Sequence, residues 1–238
     1  MTPTYEISRK VVLITGPAGN LGSAVISRLQ KESTSLVLVD RHPDRIKVRY
    51  PDLEESDDHL LLTNVDLTNA DIVQSAVSTT LDTFGQIDCL IHTAGGFQMG
   101  EEVHQITPEK WDLMMNINVN TLLNTARVVI PAMIDQNDGT IITVGARPSL
   151  QGKKKMGSYS ASKAVVLRLT ESIAAEGKST GIRARCIIPG TIDTPDNRKA
   201  MPNADTSQWI KPEVIADAIF EICFNKNHTE KDVIIRLY

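Results

Sequence analysis

The feature that most constrains this chain is its alternation of short, continuously apolar runs with longer amphipathic stretches. Residues 10–15 (KVVLIT), 35–40 (SLVLVD), 59–65 (HLLLTNV), 87–92 (IDCLIH), 139–144 (GTIITV), 182–188 (IRARCII) and 232–237 (DVIIRL) read as strands. Apolar residues in succession are what a parallel strand covered on both faces requires. Between these runs, residues 20–31, 69–84, 108–135, 158–177 and 212–225 read as helices, and the second of them carries Ile72, Val73, Ala76, Val77, Thr80 and Leu81 on one stripe. Strands alternating with helices give right-handed βαβ units. The pattern therefore predicts an α/β fold with a doubly wound, seven-stranded parallel sheet, as one domain over residues 1–238. No repeat, low-complexity tract or interdomain linker interrupts it. Residues 41–58, with the acidic run DLEESDD, read as a solvated connection. Residues 190–212 follow the C-terminal end of a strand, where open α/β sheets bind ligands, and read as a substrate lid.

Composition narrows the function classes. Lys and Arg number 25 against 29 Asp and Glu, a formal charge of −4, which argues against nucleic acid or an anionic membrane as the main partner. The chain is 41% hydrophobic, and no apolar run approaches the roughly 20 residues of a membrane span. The opening MTPTYEISRK has no apolar core of a secretory signal. Cys89, Cys186 and Cys223 each lie alone in an apolar segment and read as buried thiols, which fits a reducing cytoplasm. His42, His59, His92, His104 and His228 show no ligand spacing with one another or with cysteine, so no metal is expected.

The first strand runs directly into TGPAGNLG (residues 15–22) and then into a helix. Backbone N–H groups at a helix N-terminus form a ready anion site, and glycines let a pyrophosphate approach. Asp40 ends the second strand about 20 residues beyond this loop, where a dinucleotide-binding Rossmann fold places an acid on the ribose hydroxyls. Its charge would repel a 2′-phosphate, so NAD(H) is expected over NADP(H). Arg41 beside it would soften that preference.

Here the chain resembles the short-chain dehydrogenase/reductase family. Thr15, Gly16 and Gly22 match the family's Thr-Gly-three residues-Gly-one residue-Gly pattern; Asn20 replaces the middle glycine, with Gly19 beside it and Leu21 following. Asp66-Leu67-Thr68 is similar to the adenine-contacting segment. His92-Thr93-Ala94-Gly95 occupies the Asn-Asn-Ala-Gly position, and Pro189-Gly190 with Ile192 and Thr194 resembles the segment cradling the carboxamide of the nicotinamide. Tyr159 and Lys163 stand four residues apart, on one face of a helix. The lysine charge, with a positive nicotinamide, would lower the phenol's pKa and make Tyr159 a general acid or base. Asn118 aligns with the asparagine that bends its helix and supports the proton relay. The family's active-site serine is absent: thirteen residues before Tyr159 stands Ala146, with Ser149 and Ser158 as possible substitutes. Losing such a donor typically costs about 10²-fold to 10³-fold in rate.

Gly-Ala in place of the serine, and the stretch from Ile192 to Asp205 followed by Trp209, resemble the dihydropteridine reductase-like subgroup. The resemblance implies an NAD(H)-dependent oxidoreductase acting on a small carbonyl, alcohol or pterin-like substrate. Dihydropteridine reductase proper, or a catalytically weak NAD-binding regulatory protein, are the alternatives. It places Phe97, Met156 and Trp209 with Ala146 at the substrate cleft; Met99 and Met201 fall there too. Lys153, Lys154 and Lys155 read as a solvated loop. A homodimer or homotetramer is implied, with both states open because the family's usual glycine-containing tail does not follow Leu237-Tyr238.

Overall fold

The computed structural model describes residues 9–225 and 232–238. Seven strands, β1 (Lys10–Thr15), β2 (Thr34–Val39), β3 (Leu60–Leu62), β4 (Cys89–His92), β5 (Gly139–Val144), β6 (Ile182–Pro189) and β7 (Ile234–Leu237), form one sheet in the order β3-β2-β1-β4-β5-β6-β7. Every pairing is parallel. The helices are α1 (Asn20–Leu29), α2 (Pro43–Lys47), α3 (Pro51–Glu54), α4 (Ala70–Phe84), α5 (Pro108–Met115), α6 (Thr121–Gln136), α7 (Gly157–Glu176), α8 (Pro195–Ala200) and α9 (Pro212–Phe224).

The doubly apolar strands are explained by two cores, one on each face of the sheet. Along β1, Val12 and Ile14 point into a core with Val25, Ile26 and Leu29 of α1 and Ile215, Ile219 and Phe220 of α9. Val11 and Leu13 point the other way, against Val73 and Val77 of α4 and Val129 and Met133 of α6. Alternate residues of a strand face opposite sides, so a strand between two helix layers has no face left for polar residues. On α4, Val73, Ala76, Val77 and Thr80 are buried, Leu81 is half-buried, and Ile72 stands at the exposed margin.

Several expectations are corrected. The 59–65 strand is paired only over Leu60–Leu62, because the chain turns at Asn64 in a left-handed conformation. Residues 41–58 are not simply a solvated connection: Ile46, Tyr50 and Leu53, spaced to share one helical face, are buried in α2, the turn after it and α3. The Tyr50 hydroxyl donates to the Pro17 carbonyl at 2.9 Å, and Arg49 Nη1 to the Ala18 carbonyl at 2.7 Å, so this segment braces the glycine loop. The long helix over 108–135 is divided by a π-helical turn, Asn116–Asn120. Cys89 and Cys223 are not separate thiols but a disulfide, since β4 and α9 bring both side chains into the same core; Cys186 remains a buried thiol. The cysteine argument for a reducing compartment falls with that pairing. Residues 190–212 contain α8 and a parallel bridge between Ile192 and Ile210. No described helix is long and apolar enough to cross a membrane.

The brace can be tested. Tyr50→Phe removes the donor to the Pro17 carbonyl without emptying the core, and a buried acceptor left unpaired costs about 1–3 kcal/mol. Urea unfolding should show a loss of that order, with the m-value unchanged.

Candidate active site

The sheet order reverses between β1 and β4, and the crevice at the C-terminal ends of these strands is where an open α/β sheet takes its ligand. After β1, Gly16 turns with φ +70° and lies so close to the β4 exit that a Cβ would stand 2.9 Å from Ala94 Cα. Gly22 packs α1 against the same turn, with a Cβ position 2.4 Å from the Gly16 carbonyl oxygen. A Cβ on Gly19, in contrast, would meet only that oxygen, at 3.4 Å. Gly19 is the N-cap of α1 and has no side chain to cap it. The first-turn N–H groups at Asn20, Leu21 and Gly22 therefore lie at an uncapped helix start beside a glycine hollow, which fits a pyrophosphate.

Asp40 follows β2, half-buried, and its Oδ1 accepts from the His42 N–H at 2.9 Å. Arg41 is exposed and donates from Nε to His42 Nε2 at 2.9 Å. Asp66 Oδ1 accepts from the Thr68 N–H and hydroxyl, which hold its carboxyl below the usual range. The Leu67 carbonyl takes a hydrogen bond from Asn124 at 3.0 Å, fixing that segment to α6. On the other side of the crevice, the Gly190 N–H donates to the Leu237 carbonyl at 2.7 Å. Pro189 ends β6, and the Ile192 carbonyl accepts from Asn197 Nδ2 at 2.8 Å. Thr194 caps α8 by accepting from the Asn197 N–H, and Asn20 donates to Asp196 at 3.3 Å, which joins the glycine loop to α8.

Asn118 and Lys163 converge at Gly95, and Ser162 links Asn118 to the Tyr159 backbone. The Asn118 amide exchanges two hydrogen bonds with the Gly96 backbone, its Oδ1 accepting at 3.0 Å and its Nδ2 donating at 3.1 Å. Nδ2 also donates to Ser162 Oγ at 3.1 Å, and Ser162 donates to the Tyr159 carbonyl at 2.9 Å. Lys163 Nζ donates to the Val144 carbonyl at 3.0 Å. Gly95 leaves the room for this cluster: a Cβ there would lie 2.6 Å from Asn118 Oδ1 and 3.2 Å from Lys163 Nζ. Ser162 was not legible as a participant, although its place between Tyr159 and Lys163 on α7 is the signal that would have marked it.

In the protein without cofactor, burial pushes the Lys163 ammonium down to about 8 and the Tyr159 phenol up to about 12. Lys163 is directed to the Val144 carbonyl, and desolvation of the phenolate governs Tyr159.

Phe97 packs its ring edge-on to Tyr159, centroids 4.8 Å apart, and is 55% exposed, so it forms an open apolar wall over the phenol. Met156 immediately precedes α7, while Trp209 lies half-buried beside the Ile192–Ile210 bridge. Ala146 is buried two residues beyond β5, leading into a short 3₁₀ turn, Arg147–Ser149. Ser149 Oγ is buried without a hydrogen-bond partner, and Ser158 is buried at the start of α7. Lys153, Lys154 and Lys155 are exposed. Among the described residues no group of three or more His, Cys, Asp or Glu side chains is placed to hold a metal; His228 lies outside the described residues.

The family model described as short chain dehydrogenase matches residues 10–205, a span that takes in the glycine loop, Asn118, Tyr159 and Lys163. The chain belongs to the short-chain dehydrogenase family. It is 29% identical over 214 residues to an uncharacterized oxidoreductase of Staphylococcus haemolyticus, covering 90% of each chain. Its fold is that of ElxO with NADP bound (TM-score 0.87, 20% identity, 96% and 97% of the two chains). The same holds for NAD+-bound xylitol dehydrogenase (TM-score 0.84, 22% identity, 96% of each). The short-chain dehydrogenase assignment makes the chain an oxidoreductase and agrees with the seven-stranded sheet.

The buried lysine has a measurable signature. Its folded pKa of about 8 lies below the ordinary 10.5, so between those values the unfolded state binds more protons and stability rises with pH. Below pH 8 Lys163 is charged in both states and this contribution is flat. Compared with Lys163→Met, the wild-type chain should gain about 2 kcal/mol between pH 8 and pH 9.5, each pH unit being worth about 1.4 kcal/mol. Parallel curves for the two proteins in denaturant melts across this window would contradict the burial effect.

Proposed function

We propose that the chain is an NAD(H)-dependent oxidoreductase that moves a hydride between the nicotinamide and a small carbonyl, alcohol or pterin-like substrate. The observation that carries this reading is the convergence of Asn118 and Lys163 on the Gly95–Gly96 passage at the sheet's switch point, with the Tyr159 ring packed against Phe97 beside it. When bound, the cofactor supplies or accepts the hydride. Gly16, Gly19, Asn20, Leu21 and Gly22 hold its pyrophosphate; Asp40, Asp66, Leu67, Ala94, Gly95, Pro189, Gly190, Ile192 and Thr194 line the rest of its path.

Tyr159 is the proton donor. A phenol keeps its proton at neutral pH, the state a reductase needs before it protonates a developing oxyanion or ring nitrogen. Lys163 holds a cation behind the cofactor loop, where it orients the ribose. Asn118 has both ends of its amide committed to Gly96 and Ser162, so its part is to lock the loop against α7. Residues 190–212 act as the substrate lid, and Trp209, Phe97, Met156 and Ala146 line the cleft as the resemblance implies. Asp40 supports NAD(H) over NADP(H), because a 2′-phosphate would meet its carboxylate, while the exposed Arg41 beside it softens that preference. The domain spans the chain, and the family's helix packing implies a homodimer or homotetramer.

Ala146 favours a second reading, a dihydropteridine reductase proper, since a methyl group cannot polarise a carbonyl whereas a quinonoid ring can be protonated by Tyr159 alone. A nucleotide-responsive regulatory protein on the same scaffold is the remaining alternative. NADH oxidation with quinonoid dihydropterin and with a carbonyl panel separates the three. Pterin turnover far above the panel selects the second reading, and no oxidation of bound NADH selects the third.

Fluorescence titration should show tighter binding of NADH than NADPH; equal affinities would remove Asp40 as the determinant. Tyr159→Phe should lower turnover by about 10²-fold to 10⁴-fold with NADH affinity nearly intact, since the phenol acts in the transition state. Ala146→Ser should do little for the true substrate and raise activity on simple carbonyls. Tyr159→Phe with full turnover would defeat the proposal.

A further inference from the structure

His92 ends β4 opposite Thr15 of β1, at the strand pair where the sheet order reverses, and is buried with both ring nitrogens engaged. Nδ1 lies 3.0 Å from Thr15 Oγ1, and Nε2 lies 3.4 Å from Thr121 Oγ1. The Thr121 hydroxyl donates its one proton to the Ile117 carbonyl at 3.0 Å, so toward the ring it accepts, and the imidazole proton sits on Nε2. Thr15 Oγ1 accepts from the Ala94 N–H at 3.3 Å and keeps its own proton for the bare Nδ1. The other tautomer would put two donors on one Thr15 oxygen and leave that hydroxyl's proton to compete for the same fully buried space. Burial and the Lys163 cation hold the His92 pKa down to about 3, which keeps the ring neutral.

The bonds run in one direction, from the Ala94 amide to Thr15, from Thr15 to His92, from His92 to Thr121, and from Thr121 to the Ile117 carbonyl. The first member adjoins Gly95, on which Asn118 and Lys163 converge; the last lies in the π turn that carries Asn118. We infer that His92, as the Nε2–H tautomer, is a positioning residue that ties the glycine loop and the Ala94–Gly95 passage to the π turn and so fixes Asn118 against them. Its consequence for turnover rests on the proposed function; the wiring is a property of the protein without cofactor.

The test uses the full chain. Nitrogen-15 NMR of labelled histidines without cofactor, with His92→Phe to assign the signals, should show a neutral ring protonated at Nε2. Thr121→Val keeps the β-branched shape and removes the acceptor; amide exchange over residues 116–120 should rise by about tenfold, while Thr121→Ser stays within about twofold of wild type. In the active enzyme Thr121→Val should lower kcat by about tenfold with the NADH dissociation constant within about twofold, and Thr121→Ser should restore kcat. A ring protonated at Nδ1, a charged ring, unchanged exchange in Thr121→Val, or an unchanged kcat in a chain that does turn over would each overturn the inference. If the wild-type chain oxidises no NADH with any substrate, the functional reading fails, and the tautomer and exchange results still decide the wiring.

Discussion

The pairing of β1 with β4 is the constraint from which the rest of the molecule follows. Thr15 faces His92 across that pair, and both strands must release their chains at the same edge of the sheet. Because β1 continues to one side toward β2 and β4 to the other toward β5, the two exits part and leave a crevice between them. The exits are nonetheless close enough that Gly16 cannot carry a side chain beside Ala94. Every group brought to the crevice is placed relative to this seam: α1 by the Gly16 turn, α7 by the carbonyl of Val144, and the π turn by Gly96.

Much of the fold was legible because parallel strands buried on both faces leave so little ambiguity in sequence. The strands at 10–15 and 139–144 were recovered with their bounds, and the helix at 69–84 differs from Ala70–Phe84 by one residue. What was obscured lay where charge masks a sparse apolar spacing. Ile46, Tyr50 and Leu53 are surrounded by Asp, Glu and Arg, so the segment looked solvated although one face of it is core. The Cys89–Cys223 pairing was out of reach because a sequence separation of 134 is bridged only once β4 and α9 are packed.

The site was legible in its members and less so in their electrostatics. Tyr159, Lys163 and Asn118 were named from spacing and resemblance; the structure places Asn118 and Lys163 around Gly95 and Gly96 and the Tyr159 ring against Phe97. The depth of their burial was not, since desolvation depends on which neighbours exclude water rather than on which residue stands four positions away. His92 shows the same limit: a lone histidine without ligand spacing gives no sign that its two nitrogens will find two threonines from different elements.

The π turn at Asn116–Asn120 has a consequence for how this chain tolerates change. Such a turn is equivalent to one extra residue accommodated within an otherwise α-helical path. Each residue of an α-helix turns the chain by about 100°, so deleting any one position between α5 and α6 would let the two helices fuse into a regular spiral. That gain in regularity would rotate the Asn118 side of the helix away from Gly96, or else turn the buried stripe of Leu122, Ala126, Val129 and Met133 out of the core. The length of this stretch is thus counted by two faces at once, and substitutions within it are better tolerated than any change in its number of residues.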